Sequence, residues 1–517
     1  MANFFTQTKN DFRYLKVKSS KLSHRAKRRK LRAILTLIGL LIVIFQLIFT
    51  VLFITKVIQL DMFPYKYIIV GAIALTLITL YNFLSQFAGY GIIGKIIAIL
   101  LSVVMVYGYF FTAKLNSTLT NLTGITTQTD VFDVLVLKTD SAASLNDTFK
   151  YTYGINTSVD AELVAKAINN INSEYNTSIN TADYTDWEEI FNALYENVNI
   201  KAIIIRESTR TLLLEQFPEI EEKTKICGTI SVKTDVVLDE SDKAINNQPF
   251  VIYLCGNDTE GSISDDGRND VNILAVINPV TRQVLLVSTP RDSYIQYTNA
   301  SGKTGYDKLT HASNDGIKYS IKALEGMYGI GIDYYVRVNF SGCIGIVDAL
   351  GGITINSDVA FTNGIDACWI QYDFVVGPNE CDGTKTLAFV RERQVFPNGD
   401  LQRGKNQEAA ISAIIDKATS PAILSRYGAV LDSVSSMMLT NISSKTIASL
   451  VKGQLSNSTS WNIQSYSITG TGAMRDSQLY NLSGMSVVLL DDSSIALAKE
   501  LMNKTINGEI FNVEDYQ

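Results

Sequence analysis

Histidine is scarce in this 517-residue chain, which has two, and cysteine is sparse, with five. Neither type occurs between Leu387 and Gln407, the stretch with the most informative pattern, so no histidine or thiolate nucleophile can arise there. Acidic residues are nearly absent from the first 32 positions, where Asp11 stands alone against 11 Lys and Arg. The remainder carries 34 basic against 50 acidic residues. So acidic a body argues against nucleic acid as the main partner, because a phosphate backbone demands a basic footprint.

Charge is also missing from Ala33 to Thr55, a run broken mainly by Thr36, Gln46 and Thr50 and long enough to cross a bilayer. Two shorter runs follow, Tyr67–Leu84 and Ile96–Ala113, bounded by Lys66 and Lys95. No small-residue cleavage site follows a short apolar core, so the segment is not read as a removable signal peptide. Residues 1–32 thus read as a basic cytoplasmic tail held inside by Arg25, Lys27, Arg28, Arg29, Lys30 and Arg32, and residues 33–113 as three transmembrane helices. An odd number of crossings places everything after about residue 114 outside, making a multi-pass protein of the cell membrane. Binding of the tail to nucleic acid or anionic lipid is the competing reading of the same charges.

What is present beyond the spans falls into two parts. Residues 114–245 mix strands (133–138, 201–206) with helices (160–172, 187–196) and read as a small α/β accessory domain without catalytic spacing. A polar stretch, 239–248, links it to residues 246–517. There, strands at 249–256, 271–278, 284–288, 334–339 and 353–356 alternate with helices at 318–328 and 341–350, which argues for a layered α/β sandwich. The last hundred residues repeat such signals at 485–490 and 495–504 and belong to the same body.

The segment Leu387-Ala-Phe-Val-Arg-Glu-Arg393, continued by Asp400-Leu-Gln-Arg403-Gly-Lys-Asn-Gln407, sets guanidinium groups on apolar scaffolding. Guanidinium forks match phosphate oxygens bidentately and keep their charge, so an anionic substrate is the first inference. If Asp400 caps a helix, Arg403, Gln407, Ile411 and Ile415 recur at steps of four on one face. That face aims Arg403 and Gln407 at the mouth of an apolar region, near the positive helix end. A polar mouth over a greasy interior suits a phosphorylated lipid; a surface ion-pair network is the alternative. Three further loops carry charge where elements meet: Asp258, then Arg268 and Asp270, then Arg291 and Asp292. Arginines there would neutralise a pyrophosphate while carboxylates hold a divalent cation. Spacing alone leaves open whether these loops converge.

Cys227, Cys255 and Cys343 sit in apolar surroundings and read as core. Cys368 and Cys381 bracket a loop with Gly377 and Pro378, and a disulfide between them would contribute about 3 kcal/mol by loop entropy. His311 reads as a structural histidine at a helix start rather than a base.

Several ordered passages resemble the LytR-CpsA-Psr proteins of bacterial envelopes, nearest their capsule-associated branch. These are Gly267-Arg-Asn-Asp-Val-Asn-Ile-Leu274, Leu286-Val-Ser-Thr-Pro-Arg-Asp292, Asp307-Lys-Leu-Thr-His-Ala312, Val347-Asp-Ala-Leu-Gly-Gly-Ile353, and the segments Leu387–Arg393 and Gly399–Gln407. The resemblance implies an α/β/α sandwich whose apolar pocket takes a polyprenyl chain with a glycan-bearing pyrophosphate at its mouth. Arg268, Arg291, Arg391, Arg403 and Gln407 match the family's pyrophosphate contacts, Arg393 extends that set, and Asp258 and Asp270 match its Mg2+ carboxylates, with Asp400 in the polar site. The implied activity is a phosphotransferase moving a glycopolymer, whether capsule, teichoic acid or another, from its lipid pyrophosphate to peptidoglycan, with pyrophosphatase activity on the side. Catalysis falls to Arg268, Arg291, Asp270 and Asp400, with the base open among Asp270, Asp400 and a lipid phosphate oxygen. The other reading is a membrane-anchored sensor that binds the lipid-linked precursor and regulates polysaccharide synthesis. Gly267 and Asn269 depart from the family pattern beside Arg268, the 368–381 loop is not general to the family, and the oligomeric state is unspecified.

Overall fold

The computed structural model describes residues 2–516 apart from 89, 124–126, 215, 236–246, 258–266, 398, 421–425, 427–429, 431–437, 458 and 481. The chain divides into two compact units, residues 1–120 with 444–459, and residues 121–443 with 460–517.

The first unit holds three helices long and apolar enough to cross a membrane, His24–Leu60, Tyr65–Ser85 and Ile92–Leu119, at the three apolar runs. Their polarity is inverted relative to a soluble bundle. Leu41, Val70 and Ile93 face outward, whereas Gln46, Asn82 and Gln86 are buried. Gln46 bridges two neighbours, its Nε2 donating to Thr79 Oγ1 at 2.8 Å and its Oε1 accepting from Asn82 Nδ2 at 2.8 Å. Polar side chains that find partners only between helices are the adhesive expected where the surroundings are lipid. In the basic tail, buried Asp11 lies 3.8 Å from Arg29 and 3.5 Å from Arg32, so the one acid of that segment offsets part of its charge.

The second unit contains two principal sheets. The smaller has five strands in the order Asn180–Tyr184, Thr152–Asn156, Ala202–Arg206, Thr127–Leu137, Thr224–Asp235. Helices Ala161–Glu174 and Trp187–Tyr195 accompany it, where the sequence placed them. Its apolar residues Ile203 and Ile205 share one cluster with Leu482, Met485 and Val487 of the larger body. Arg206, paired with Asp130 and Asp160, also donates to the Asn314 carbonyl at 3.0 Å. Most of the expected linker lies outside the described residues.

The larger sheet has six strands, ordered Met438–Thr440, Tyr334–Val338, Phe250–Asn257, Asn269–Asn278, Gln283–Ser288, Asn462–Ser467. Alternation along its central strands decides what each face does, because neighbouring side chains point to opposite sides. Val251, Tyr253, Leu274, Val276, Leu285 and Val287 close against helices Ile317–Tyr328 and Asp492–Asn507 in a filled core. Ile252, Leu254, Ala275 and Ile277 look the other way, toward helices Phe340–Leu350, Gly383–Arg391 and Asp400–Thr419, and that side is not filled. This is the expected α/β/α sandwich, hollow on one side. The strand Ile353–Ser357 is the exception to the expected layout: it pairs with Gly377–Cys381 in a separate two-stranded ribbon.

Two expectations need correction. Cys368 and Cys381 are separate thiols rather than a disulfide. Both are buried in the same apolar cluster, and Cys381 sits in the register of the ribbon with its thiol donating to the Asn379 carbonyl at 3.5 Å. Asp400 does not cap its helix: Gly399, at φ 49°, occupies the cap position, and the Asp400 carboxylate turns to Arg403 instead, 3.1 Å from Nη2. Glycine tolerates that backbone because it has no Cβ to clash.

Candidate functional site

The hollow face encloses a cavity of about 350 Å3. Its walls come from the sheet through Ile252, Leu254 and Val338, and from the Asp400–Thr419 helix through Ala410, Ile411, Ile414 and Ile415. Gln407 and Arg403, one and two turns nearer the helix start than Ile411, line the same cavity, so the four-residue stripe read from the sequence lies along one wall. Cys343, expected in the core, also faces this cavity; burial pushes its thiol up to about 11, so it stays uncharged.

A second, polar cavity of about 220 Å3 adjoins it. Asp270, Arg391 and Arg403 border both, which makes them the rim between greasy interior and charged mouth. Arg291, Arg393, Glu392 and Asp366 complete the mouth.

Charge at the rim is organised around Asp270. Arg291 Nη1 donates to its Oδ1 at 2.5 Å, and Arg403 Nη1 to its Oδ2 at 3.3 Å. Arg403 also reaches the Asp270 carbonyl at 3.4 Å. Arg291 Nε lies 3.5 Å from Asp292 Oδ1, and Lys308 Nζ lies 3.6 Å from the same oxygen. Burial pushes the Asp292 carboxyl up, yet Arg291, Lys308, a hydrogen bond with Asp400 and Arg403 together hold it below the usual carboxylate range. The charged form is therefore kept at neutral pH.

Of the residues expected from sequence, the structure gathers Asp270, Arg291, Arg391, Arg393, Asp400, Arg403 and Gln407. Arg391 ends its helix with the guanidinium carbon over the Phe340 ring, 4.0 Å from its centroid. Arg393 is half-exposed, 4.0 Å from Asp400. Gln407 is buried and anchored, its Nε2 donating to the Val390 carbonyl at 3.3 Å. Arg268 lies apart, lining neither cavity; its Nη2 is 3.4 Å from the Thr211 carbonyl of the accessory part. Asp258 lies outside the described residues. His311 is fully buried against Asp307 at 2.9 Å and lines neither cavity, matching the structural role expected of it.

Sequence reasoning placed Asp292 in a charged loop without a specific role and passed over Lys308 and Glu392. Glu392 is buried between Arg391 and Arg393; one oxygen accepts from the Gly364 N–H at 2.5 Å, the other from the N–H groups of Arg393, Gln394 and Val395. It thereby fastens the 364–367 loop to the turn that carries the mouth arginines. Its place between two arginines was the available signal.

Among the described residues no group of three or more His, Cys, Asp or Glu is arranged to hold a metal. The rim acids are already ion-paired: Asp292 Oδ1 faces Arg291 and Lys308 at 3.5 and 3.6 Å, and Asp400 Oδ1 faces Arg403 at 3.1 Å. Carboxylate oxygens are the ligand type that Mg2+ takes, so Asp270, Asp292 and Asp400 are the residues that would hold one, in exchange for part of these ion pairs.

Residues 219–495 match the LytR_cpsA_psr family. The chain is 30% identical over 265 residues to the polyisoprenyl-teichoic acid–peptidoglycan teichoic acid transferase TagU of Enterococcus faecalis, covering 51% of this chain and 81% of that protein. It is 32% identical over 275 residues to Biofilm regulatory protein A of Streptococcus mutans, covering 51% of this chain and 65% of that one. The solved structure of Bacillus subtilis TagV is 22% identical, covers 50% of this chain and 98% of its own, and has a TM-score of 0.42.

Proposed function

The chain belongs to the LytR_cpsA_psr family, and from that premise we propose that it transfers a glycopolymer from a polyprenyl pyrophosphate carrier to peptidoglycan, joining them by a phosphodiester. The observation that carries this reading is the shared rim: Asp270, Arg391 and Arg403 border an apolar cavity on one side and a cationic one on the other. A single ligand that is hydrocarbon at one end and pyrophosphate at the other satisfies both, and the TagU relative is named for a polyisoprenyl-linked teichoic acid.

In the reaction, an acceptor hydroxyl oxygen of peptidoglycan attacks the phosphorus that bears the glycan. The bond from that phosphorus to the bridging oxygen breaks, the polyprenyl monophosphate leaves with the electron pair, and the hydroxyl proton passes to a base. Arg291, Arg391 and Arg403 stabilise charge that grows on the pyrophosphate oxygens, in a site already oriented before the substrate arrives. Asp270 fixes the forks of Arg291 and Arg403. Asp270, Asp400 and a lipid phosphate oxygen remain the candidate bases. A bound Mg2+ would add electrostatic stabilisation of the leaving phosphate, and Asp270, Asp292 and Asp400 are the carboxylates that would hold it. Water attacking in place of the hydroxyl would give the pyrophosphatase side reaction.

The three apolar helices anchor the protein in the membrane. We place the basic tail in the cytoplasm and the body outside, in reach of peptidoglycan.

The test uses the full chain in lipid nanodiscs with a labelled polyprenyl-pyrophosphoryl glycan and peptidoglycan. Transfer of label that requires Mg2+ and is lost in Arg291→Ala, with the fold retained, supports the proposal; full activity of Arg291→Ala overturns it. A regulatory reading draws on the name of the Streptococcus mutans relative. Deleting residues 1–30 separates the two, because a sensor would lose regulation and keep polymer attachment.

A further inference from the structure

The loop between Ser357 and Asp373 is folded more firmly than its length suggests. A two-stranded ribbon, Phe361–Thr362 with Asp373–Phe374, closes its base. Asn363, fully buried, donates to the carbonyls of Gly364 and Ile370 at 3.0 Å each and accepts from the Tyr372 N–H at 2.7 Å. Beneath it, Phe361 packs against Phe374, Phe389 and Phe396 at centroid distances of 4.6 to 5.6 Å. These bonds hold outward a set of side chains that water disfavours: Ile365 is 70% exposed, Trp369 60% and Ile370 43%. Val395, 45% exposed, belongs with them, because Glu392 accepts from both the Gly364 and Val395 N–H groups. A rigid loop that spends a buried asparagine to display aliphatics and an indole presents a binding surface.

We propose that this tip, formed by Ile365, Trp369, Ile370 and Val395, dips into the outer membrane–water interface and seats the charged mouth at headgroup depth. Three features favour lipid over sugar. Three of the four groups are aliphatic, which suits acyl chains, whereas a sugar platform needs aromatic faces. Tryptophan sits preferentially where hydrocarbon meets water. The loop is also continuous with the site, since Gly364, Asp366 and Ala367 line the polar cavity, and the same chain carries three helices able to span the bilayer. The inference rests on the transferase reading only for why the mouth should lie at the headgroups; a loop so placed lets a pyrophosphate reach the arginines while its isoprenoid tail slides from bilayer to cavity.

The test is fluorescence of the full chain in phosphatidylcholine–phosphatidylglycerol nanodiscs, without substrate, with acyl chains either brominated or plain. The chain has three tryptophans, and Trp369→Phe removes only the exposed one of the loop. Bromine should quench the wild-type protein, and that quenched component should be lost in Trp369→Phe at unchanged circular dichroism. As a second arm, Ile365→Ser with Ile370→Ser should reduce the quenching of Trp369. Equal quenching of wild type and Trp369→Phe, or none in either, overturns the proposal, as does protection of Trp369 by peptidoglycan fragments without lipid quenching. Because no turnover is measured, failure here leaves the transferase reading standing, and failure of the Arg291→Ala test leaves this one standing.

Discussion

Arg291 and Arg403 hold opposite oxygens of a single carboxylate, that of Asp270, although 112 positions separate them in the chain. The pair is thus preset: neither fork has to search for its orientation when an anion arrives, and Asp270 alone does not cancel two cations. Asp270→Asn keeps the shape and removes the charge that aligns them. Transfer should fall on the order of a hundredfold, and the double variant with Arg403→Ala should lose much less than the product of the single losses. Steady-state kinetics on the four proteins of that cycle checks it.

The cavity makes a prediction about chain length. Ile411 stands on the wall one turn beyond Gln407, and Ile411→Trp would fill space rather than touch the charged rim. KM for a long polyprenyl carrier should rise at least tenfold while a short-chain analogue is used nearly as before. Equal effects on both lengths would show that the tail lies elsewhere.

Glu408 lies on the helix surface behind the site and faces the sheet. It is fully buried, accepting from the Ser288 N–H at 3.2 Å and from the Ser467 hydroxyl at 2.9 Å. Burial pushes its carboxyl from 4.5 up to about 8. The folded state therefore binds a proton that the unfolded state has already released, so stability falls as pH rises from about 4.5 to about 8 and then levels. Glu408→Gln, which is neutral at every pH, should flatten that slope in chemical denaturation measured at pH 5 and pH 8.

Gly383 begins the helix that ends in Arg391, and a Cβ there would lie 2.5 Å from the Ile344 carbonyl oxygen. The neighbour is backbone and has nowhere to go. Gly383→Ala should cost about 1–3 kcal/mol of stability despite alanine's better helix propensity, because the two helices would be forced apart. Thermal unfolding of the variant beside wild type reads this directly.

Much of this was legible beforehand because it is local. The apolar runs gave the three spans, since twenty consecutive apolar residues have few other uses. The period of four from Arg403 to Ile415 gave one wall of the cavity, since a helix places such residues in a line. Asp292 and Lys308 were harder, because a carboxylate's role depends on which cations the fold brings to it, and Lys308 arrives from a different strand. The cap at Asp400 failed for a related reason: an arginine three residues on competed for the same carboxylate and won.

By itself, then, the amino-acid order determined the membrane anchor, the charge split between tail and body, the element types, and which residues have phosphate-binding chemistry, all properties of segments shorter than about twenty residues. Tertiary structure alone decided that one sheet face is filled and the other hollow, that Asp270 serves two arginines, that Arg268 reaches toward Thr211, and that Cys368 and Cys381 stay apart. Those outcomes depend on contacts between residues tens to hundreds of positions apart, and no local period encodes such distances.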